Sequence, residues 1–128
     1  MADIRNILIV DNKQGSTYVV HINNQERITD VPIIVDVGKE KSTNGLWVPW
    51  CDTPKEFLEG HRILIKLNKG HKSILYYMFQ SGANLWYTIG EAWDTKQVLG
   101  GDYNKGKGEY VLKINKDGSV PVFSVSKL

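Results

Sequence analysis

Ser73-Ile74-Leu75-Tyr76-Tyr77-Met78-Phe79-Gln80-Ser81-Gly82-Ala83-Asn84-Leu85-Trp86-Tyr87-Thr88-Ile89-Gly90-Glu91-Ala92-Trp93-Asp94 decides how this chain is read. Residues 74–80 and 85–89 are rich in aromatic and β-forming side chains. Ser81-Gly82-Ala83-Asn84 between them is a tight turn, so the stretch predicts a β-hairpin. Trp86 and Trp93 are two of the chain's 4 tryptophans, and Tyr76, Tyr77 and Tyr87 are three of its 6 tyrosines. A hairpin this aromatic is either the keel of a β core or the platform of a binding site.

Outward from the hairpin, short strands recur. Residues 61–67 alternate, with His61, Ile63, Ile65 and Leu67 on one face and Arg62, Leu64 and Lys66 on the other. Residues 17–22 alternate as well, and with the apolar run at 4–10 they predict a hairpin across the turn formers 11–16. Pro32 either places residues 33–37 at a sheet edge or is the first residue of that strand, and Pro49 makes the segment 46–51 an edge strand or an extended segment lying across the core. The polar stretch 38–45 reads as a loop. Near the C-terminus, residues 109–114 and 120–125 flank Asn115-Lys116-Asp117-Gly118-Ser119, a second hairpin signal. The one helical start is Asp52-Thr53-Pro54-Lys55-Glu56, where Thr53 caps, Pro54 opens the helix and Glu56 completes a capping box. Gly60 ends it after about one turn. Eight to ten short strands and almost no 3.6-residue period predict an all-β fold, an antiparallel β-sandwich or small β-barrel.

With 128 residues, 41% apolar and 23% charged, the composition is that of one globular domain spanning 1–128. No apolar run approaches the roughly 20 residues of a spanning helix, and the first residues lack the pattern of a secretory leader. The single Cys51 cannot form an internal disulfide, so the expected location is cytoplasmic, with export by a leaderless route as the other option. The net charge of +2 hides an asymmetry: residues 1–60 carry six Lys/Arg and nine Asp/Glu, whereas residues 61–128 carry ten and five. Lysines at turns keep β edges soluble; a basic face also suits anionic partners.

The nucleotide-binding glycine motifs, the zinc-protease motif and the serine-hydrolase elbow are all missing. Asp102–Glu109 resembles a calcium loop but places its glycine late and Lys113 where the last carboxylate belongs. His21, His61 and His71 are isolated, so neither metal nor cofactor is expected. Cys51 next to Trp50 reads as a buried thiol rather than a nucleophile. Glu91 and Asp94 could serve as a glycosidase pair, the one enzymatic alternative.

What remains is aromatic density mixed with planar polar groups. Trp86, Tyr87 and Trp93 are followed by Asp94, Gln97, Asp102, Tyr103 and Asn104 in a glycine-rich stretch. Sugars need this mixture: C–H faces stack on rings, and fixed amides and carboxylates bind hydroxyls. These eight residues are the expected ligand site of a non-enzymatic, lectin-like carbohydrate-binding protein. A glycan is the expected partner and a homo-oligomer is compatible. The alternatives are a membrane- or lipid-binding protein of defence type and a small-ligand-binding barrel; nucleic acid is disfavoured. If stacking is the sole task of Trp93, removing it leaves thermal stability nearly unchanged. Lys105 and Lys107 are the expected first tryptic sites.

Overall fold

The computed structural model describes residues 6–26, 32–82, 84–101, 108–117 and 120–127. The aromatic stretch forms the predicted hairpin, β6 (Lys72–Ser81) and β7 (Asn84–Ile89), with Phe79 opposite Trp86 and Met78 opposite Tyr87. Successive strand side chains point to opposite faces. Tyr76 and Met78 therefore face one way, and Tyr77 and Phe79 the other.

On its other side β6 pairs with β5 (Ile63–Lys69), whose Ile63, Ile65 and Leu67 are buried as the alternation requires. β5 pairs in turn with β2 (Val19–Asn24), and β2 with the short edge strand β3 (Ile33–Val35). The two-residue β8 (Gln97–Val98) completes this six-stranded sheet beyond β7. The second sheet has four strands. β9 (Glu109–Asp117) and β10 (Val120–Lys127) form the C-terminal hairpin, β1 (Asn6–Gln14) runs parallel to β9, and β4 (Glu40–Trp47) lies antiparallel at the edge.

The inner faces of the two sheets form one core. Ile7, Val10, Leu112, Ile114, Phe123 and Val125 from the smaller sheet meet Val20, Ile22, Ile63, Ile65, Leu67, Tyr76 and Met78 from the larger. Tyr76 meets Phe123 edge-on at 4.7 Å between ring centres, the favoured aromatic geometry. The fold is an all-β sandwich, and among the described residues its sheets do not close into a barrel. No helix among the described residues is long and apolar enough to cross a membrane.

Two local expectations are corrected. β1 and β2 are not a hairpin: they lie in different sheets, and β1 continues to Gln14 through residues read as a turn. Buried Asn12 explains the continuation. Its side-chain amide donates to the carbonyls of Tyr18 at 2.8 Å and Asp36 at 3.1 Å, so a turn-type residue ties the strand to both flanking segments. The polar stretch read as a loop is mostly strand β4. It is an edge strand against β1 that buries Thr43 and Leu46, and polar side chains suit such an edge. The register of β1 slips between Ile7 and Ile9 against both neighbours, which lets Ile7 and Val10 share the inner face despite their odd spacing.

Leu99 and the two glycines after it close one side of the sandwich. The Leu99 amide donates to the Leu85 carbonyl at 2.8 Å, and the Val125 amide donates to the Gly100 carbonyl at 3.0 Å. One short segment thus reaches from β7 to β10, with the Leu99 side chain in the core. A Cβ on Gly101 would lie 2.0 Å from the Val125 carbonyl oxygen, and its φ of +116° suits only glycine. Gly101→Ala is expected to lower stability by about 2–4 kcal/mol. Gly100→Ala, with nothing within 4 Å of the new atom, is expected to stay within about 0.5 kcal/mol. Urea unfolding of the two variants side by side checks this.

Candidate functional site

The outer face of the hairpin is built over rather than left to water. Tyr77 and Phe79 point out from β6, and their cross-strand partners Thr88 and Trp86 from β7. Over them lies α1 (Pro54–Leu58), started by the predicted cap: Thr53 Oγ1 accepts from the Glu56 amide at 3.1 Å. The Glu56 carboxylate in return accepts from the Asp52 amide at 2.9 Å, one residue ahead of the reciprocal bond of a standard capping box. The helix exists to deliver Phe57. That buried ring touches Tyr77 at 5.6 Å, Phe79 at 5.9 Å and Trp93 at 5.7 Å between centres.

The segment before α1 is anchored just as firmly. The Cys51 amide donates to the Gln80 carbonyl and the Gln80 amide to the Pro49 carbonyl, while the Gln80 side chain donates to the Val48 carbonyl at 2.7 Å. Residues 49–51 thus take up the edge of β6 beyond its pairing with β5. Cys51 is buried beside Phe57, Tyr77 and Phe79, as expected. Burial first, and the Glu56 carboxylate second, push its thiol from 9.0 up to about 12.

Arg62, on the outward side of β5, holds the cluster together and is almost wholly buried. Its guanidinium lies 4.0 Å from the centre of Tyr77 and 4.7 Å from that of Phe57, while Nε donates to Gln25 Oε1 at 2.7 Å and Nη1 to Glu91 Oε2 at 3.0 Å. A planar cation on two rings with fixed acceptors is a stable way to bury charge. It binds the turn at Gln25, the helix and the loop after β7 to one another. Next to it His61 Nδ1 pairs with Glu26.

Trp93 sits on a single 3₁₀ turn (Trp93–Thr95) and stacks on Phe79 at 5.1 Å with 17° between planes. Lys96 Nζ lies 4.4 Å from the centre of Trp93 and 6.0 Å from that of Trp86. Trp86 Nε1 donates to the Ser81 carbonyl at 3.2 Å, and exposed Val98 stands opposite Trp86 in the register. Both indoles keep part of their surface in water.

Of the expected ligand residues, Trp86 and Trp93 therefore lie on the same outer face, each packed on the Phe57–Phe79 cluster, with Asp94 exposed beside Trp93. Tyr87 and Gln97 lie apart from them. Tyr87 follows Trp86 in the strand, faces the inner core near Phe123 and donates its hydroxyl to Gln97 Oε1 at 3.1 Å. Asp102, Tyr103 and Asn104 lie outside the described residues, as do the loop that resembles a calcium site and Lys105 and Lys107. Glu91, half of the glycosidase pair, is engaged by Arg62. Among the described residues no three His, Cys, Asp or Glu side chains converge as metal ligands would. Neither Lys96 nor Arg62 stands out in the sequence as a site residue; both read there as surface cations. The signal for Arg62 was there, since it shares the outward face of β5 with Leu64, next to an aromatic strand.

Arg62→Lys keeps the charge and loses the flat, forked head, and is expected to cost about 1–3 kcal/mol in urea unfolding. Glu91→Gln, at the exposed end of the same contact, is expected to cost about 1 kcal/mol or less. Cys51 is expected to react with a thiol reagent at least about a hundredfold more slowly in the native state than in the unfolded chain. The folded state holds the Cys51 proton more tightly than the unfolded chain does. Its contribution to stability is thus complete below pH 9.0 and is expected to be lost as pH rises toward 12. A series of melts across that window reads the slope.

No protein-family model, curated protein or solved structure matches this chain, so what the site does has to be read from its geometry.

Proposed function

We propose that the chain is a non-enzymatic carbohydrate-binding module whose platform is the outer-face pair Trp93 and Trp86. The observation that carries this reading is the mounting of Trp93. One face of its indole is backed by Phe79 in a near-parallel stack, and the ring is still partly exposed. A ring held flat in advance presents its face to a sugar with little further loss of freedom. Lys96, lying over both indoles, is a flexible cover that a ligand displaces, and its ammonium then serves as a donor to hydroxyls. Asp94 supplies an acceptor at the rim. Tyr87 and Gln97 belong to the other face of β7 and are left out of the platform.

The test is calorimetric titration with oligosaccharides selected on a glycan array. Trp93→Ala is expected to remove about 1–3 kcal/mol of affinity, Trp93→Tyr to retain part of it, and Tyr87→Phe to leave it unchanged. High salt is expected to change little for a neutral sugar. The contacts of Trp93 with Phe79 and Phe57 correct the expectation that its loss spares stability: Trp93→Ala is expected to lower it by about 1–3 kcal/mol as well. Trp93→Tyr, which keeps a ring on Phe79, separates the two effects. An array on which nothing binds, or affinity indifferent to position 93, overturns the reading.

A further inference from the structure

The far end of β6 carries a different kind of surface. Lys69 and Lys72 are directly opposed as the last pair of the β5–β6 ladder, clamped by a two-residue turn in which Gly70 has φ +59°. Like charges opposite one another destabilise a hairpin. No carboxylate among the described residues lies within ion-pair reach of either lysine, or of Lys66 on the same hairpin. Lys69 instead stands over the ring of Tyr18, 5.7 Å from its centre. His71 occupies the turn, and His21 adjoins Lys66 across β2. This end therefore carries a repulsion that nothing described in the fold relieves, and an external anion would relieve it.

We infer that the β5–β6 tip is a docking surface for an anionic lipid bilayer. Two features select a bilayer over other polyanions. First, apolar side chains are exposed in the same cross-strand row as Lys66, Leu75 at 38% and Ile34 at 48%, while the Lys69–Lys72 pair stands on the other face of the hairpin; the tip thus carries cations on both faces with apolar groups beside them on one, as a headgroup boundary requires. Second, single-stranded nucleic acid needs free ring faces, and Tyr18 is buried beneath Lys69 while Tyr77 and Phe79 lie under α1. Phosphate headgroups are met by point charges without a fixed direction, which suits lysine. Seven residues of β6 separate Lys72 from Phe79, about 23 Å along the strand. A protein docked by this tip holds Trp93 well away from the bilayer, so the surface is independent of the sugar platform.

Sedimentation with vesicles of phosphatidylcholine, alone or mixed with phosphatidylserine, tests this on the intact chain. The protein is expected to pellet with the anionic vesicles, not with the neutral ones, and to be released by high salt. Each lysine near an anionic surface contributes about a fivefold factor, so the Lys69→Gln/Lys72→Gln pair is expected to weaken partition roughly 25- to 30-fold. Lys72→Glu is expected to weaken it as well while raising the melting temperature, since it turns the opposed pair attractive. Lys55→Gln on α1 is the control and is expected to bind as the wild type does. Equal pelleting with neutral vesicles, wild-type partition by the double variant, or retention on heparin or single-stranded DNA without vesicle binding each overturns the proposal.

Discussion

A hairpin buried on both faces needs cover on both, and that requirement organises this molecule. In antiparallel sheets one face is commonly left to solvent. Here Tyr76 through Gln80 form an unbroken buried run in β6. The inner residues are covered by the four-stranded sheet. The outer ones are covered by a helix of barely more than one turn, by one tryptophan on a 3₁₀ turn and by one arginine. Because so little chain does the covering, each piece has to be pinned individually. That accounts for the density of caps, backbone bonds to Gln80 and charged contacts around Cys51 and Arg62.

This second, smaller core also explains why structural and functional readings of its tryptophans are hard to separate. Trp93 contributes to the packing of Phe57 and Phe79 with one side and meets water with the other. Burial of the first side fixes the angle at which the second is offered. A binding surface made this way is rigid without a deep pocket. It also places a buried thiol directly beneath, where a change in packing at Phe57 would be felt by Cys51.

The parts of the fold that were legible in the sequence are those where one physical signal dominates. Alternation located β2, β5 and β9, aromatic and β-forming content around a tight turn located β6 and β7, and the Thr53–Pro54–Glu56 pattern located α1. The signals failed where residues served two demands. β4 is polar because it is an edge strand, so its composition resembles that of a loop. Asn12 is a turn former by propensity but is spent on carbonyls of neighbouring segments inside the fold. The slip in β1 breaks the period that would have revealed its inner face. For the candidate site, aromatic content pointed to Trp86 and Trp93, yet it could not separate them from Tyr87. Neighbours in sequence on a strand lie on opposite faces, and only the register with β6 and β8 shows which faces are paired.

The parallel pairing of β1 with β9 has a consequence for how the molecule is made. β1 is sandwiched between β4, which follows it closely in the chain, and β9, which is synthesised about a hundred residues later. The larger sheet is assembled from β2, β3 and β5 to β8, which lie between, and the hairpins β5–β6 and β6–β7 close over short turns. The smaller sheet has to wait for the C-terminal hairpin, and until then one side of β1 has no strand to bond. Distant pairings of this kind slow folding and leave strand edges open to other chains. A ribosome-bound chain would thus carry a nearly complete six-stranded sheet whose inner face stays uncovered until β9 and β10 emerge to shield it.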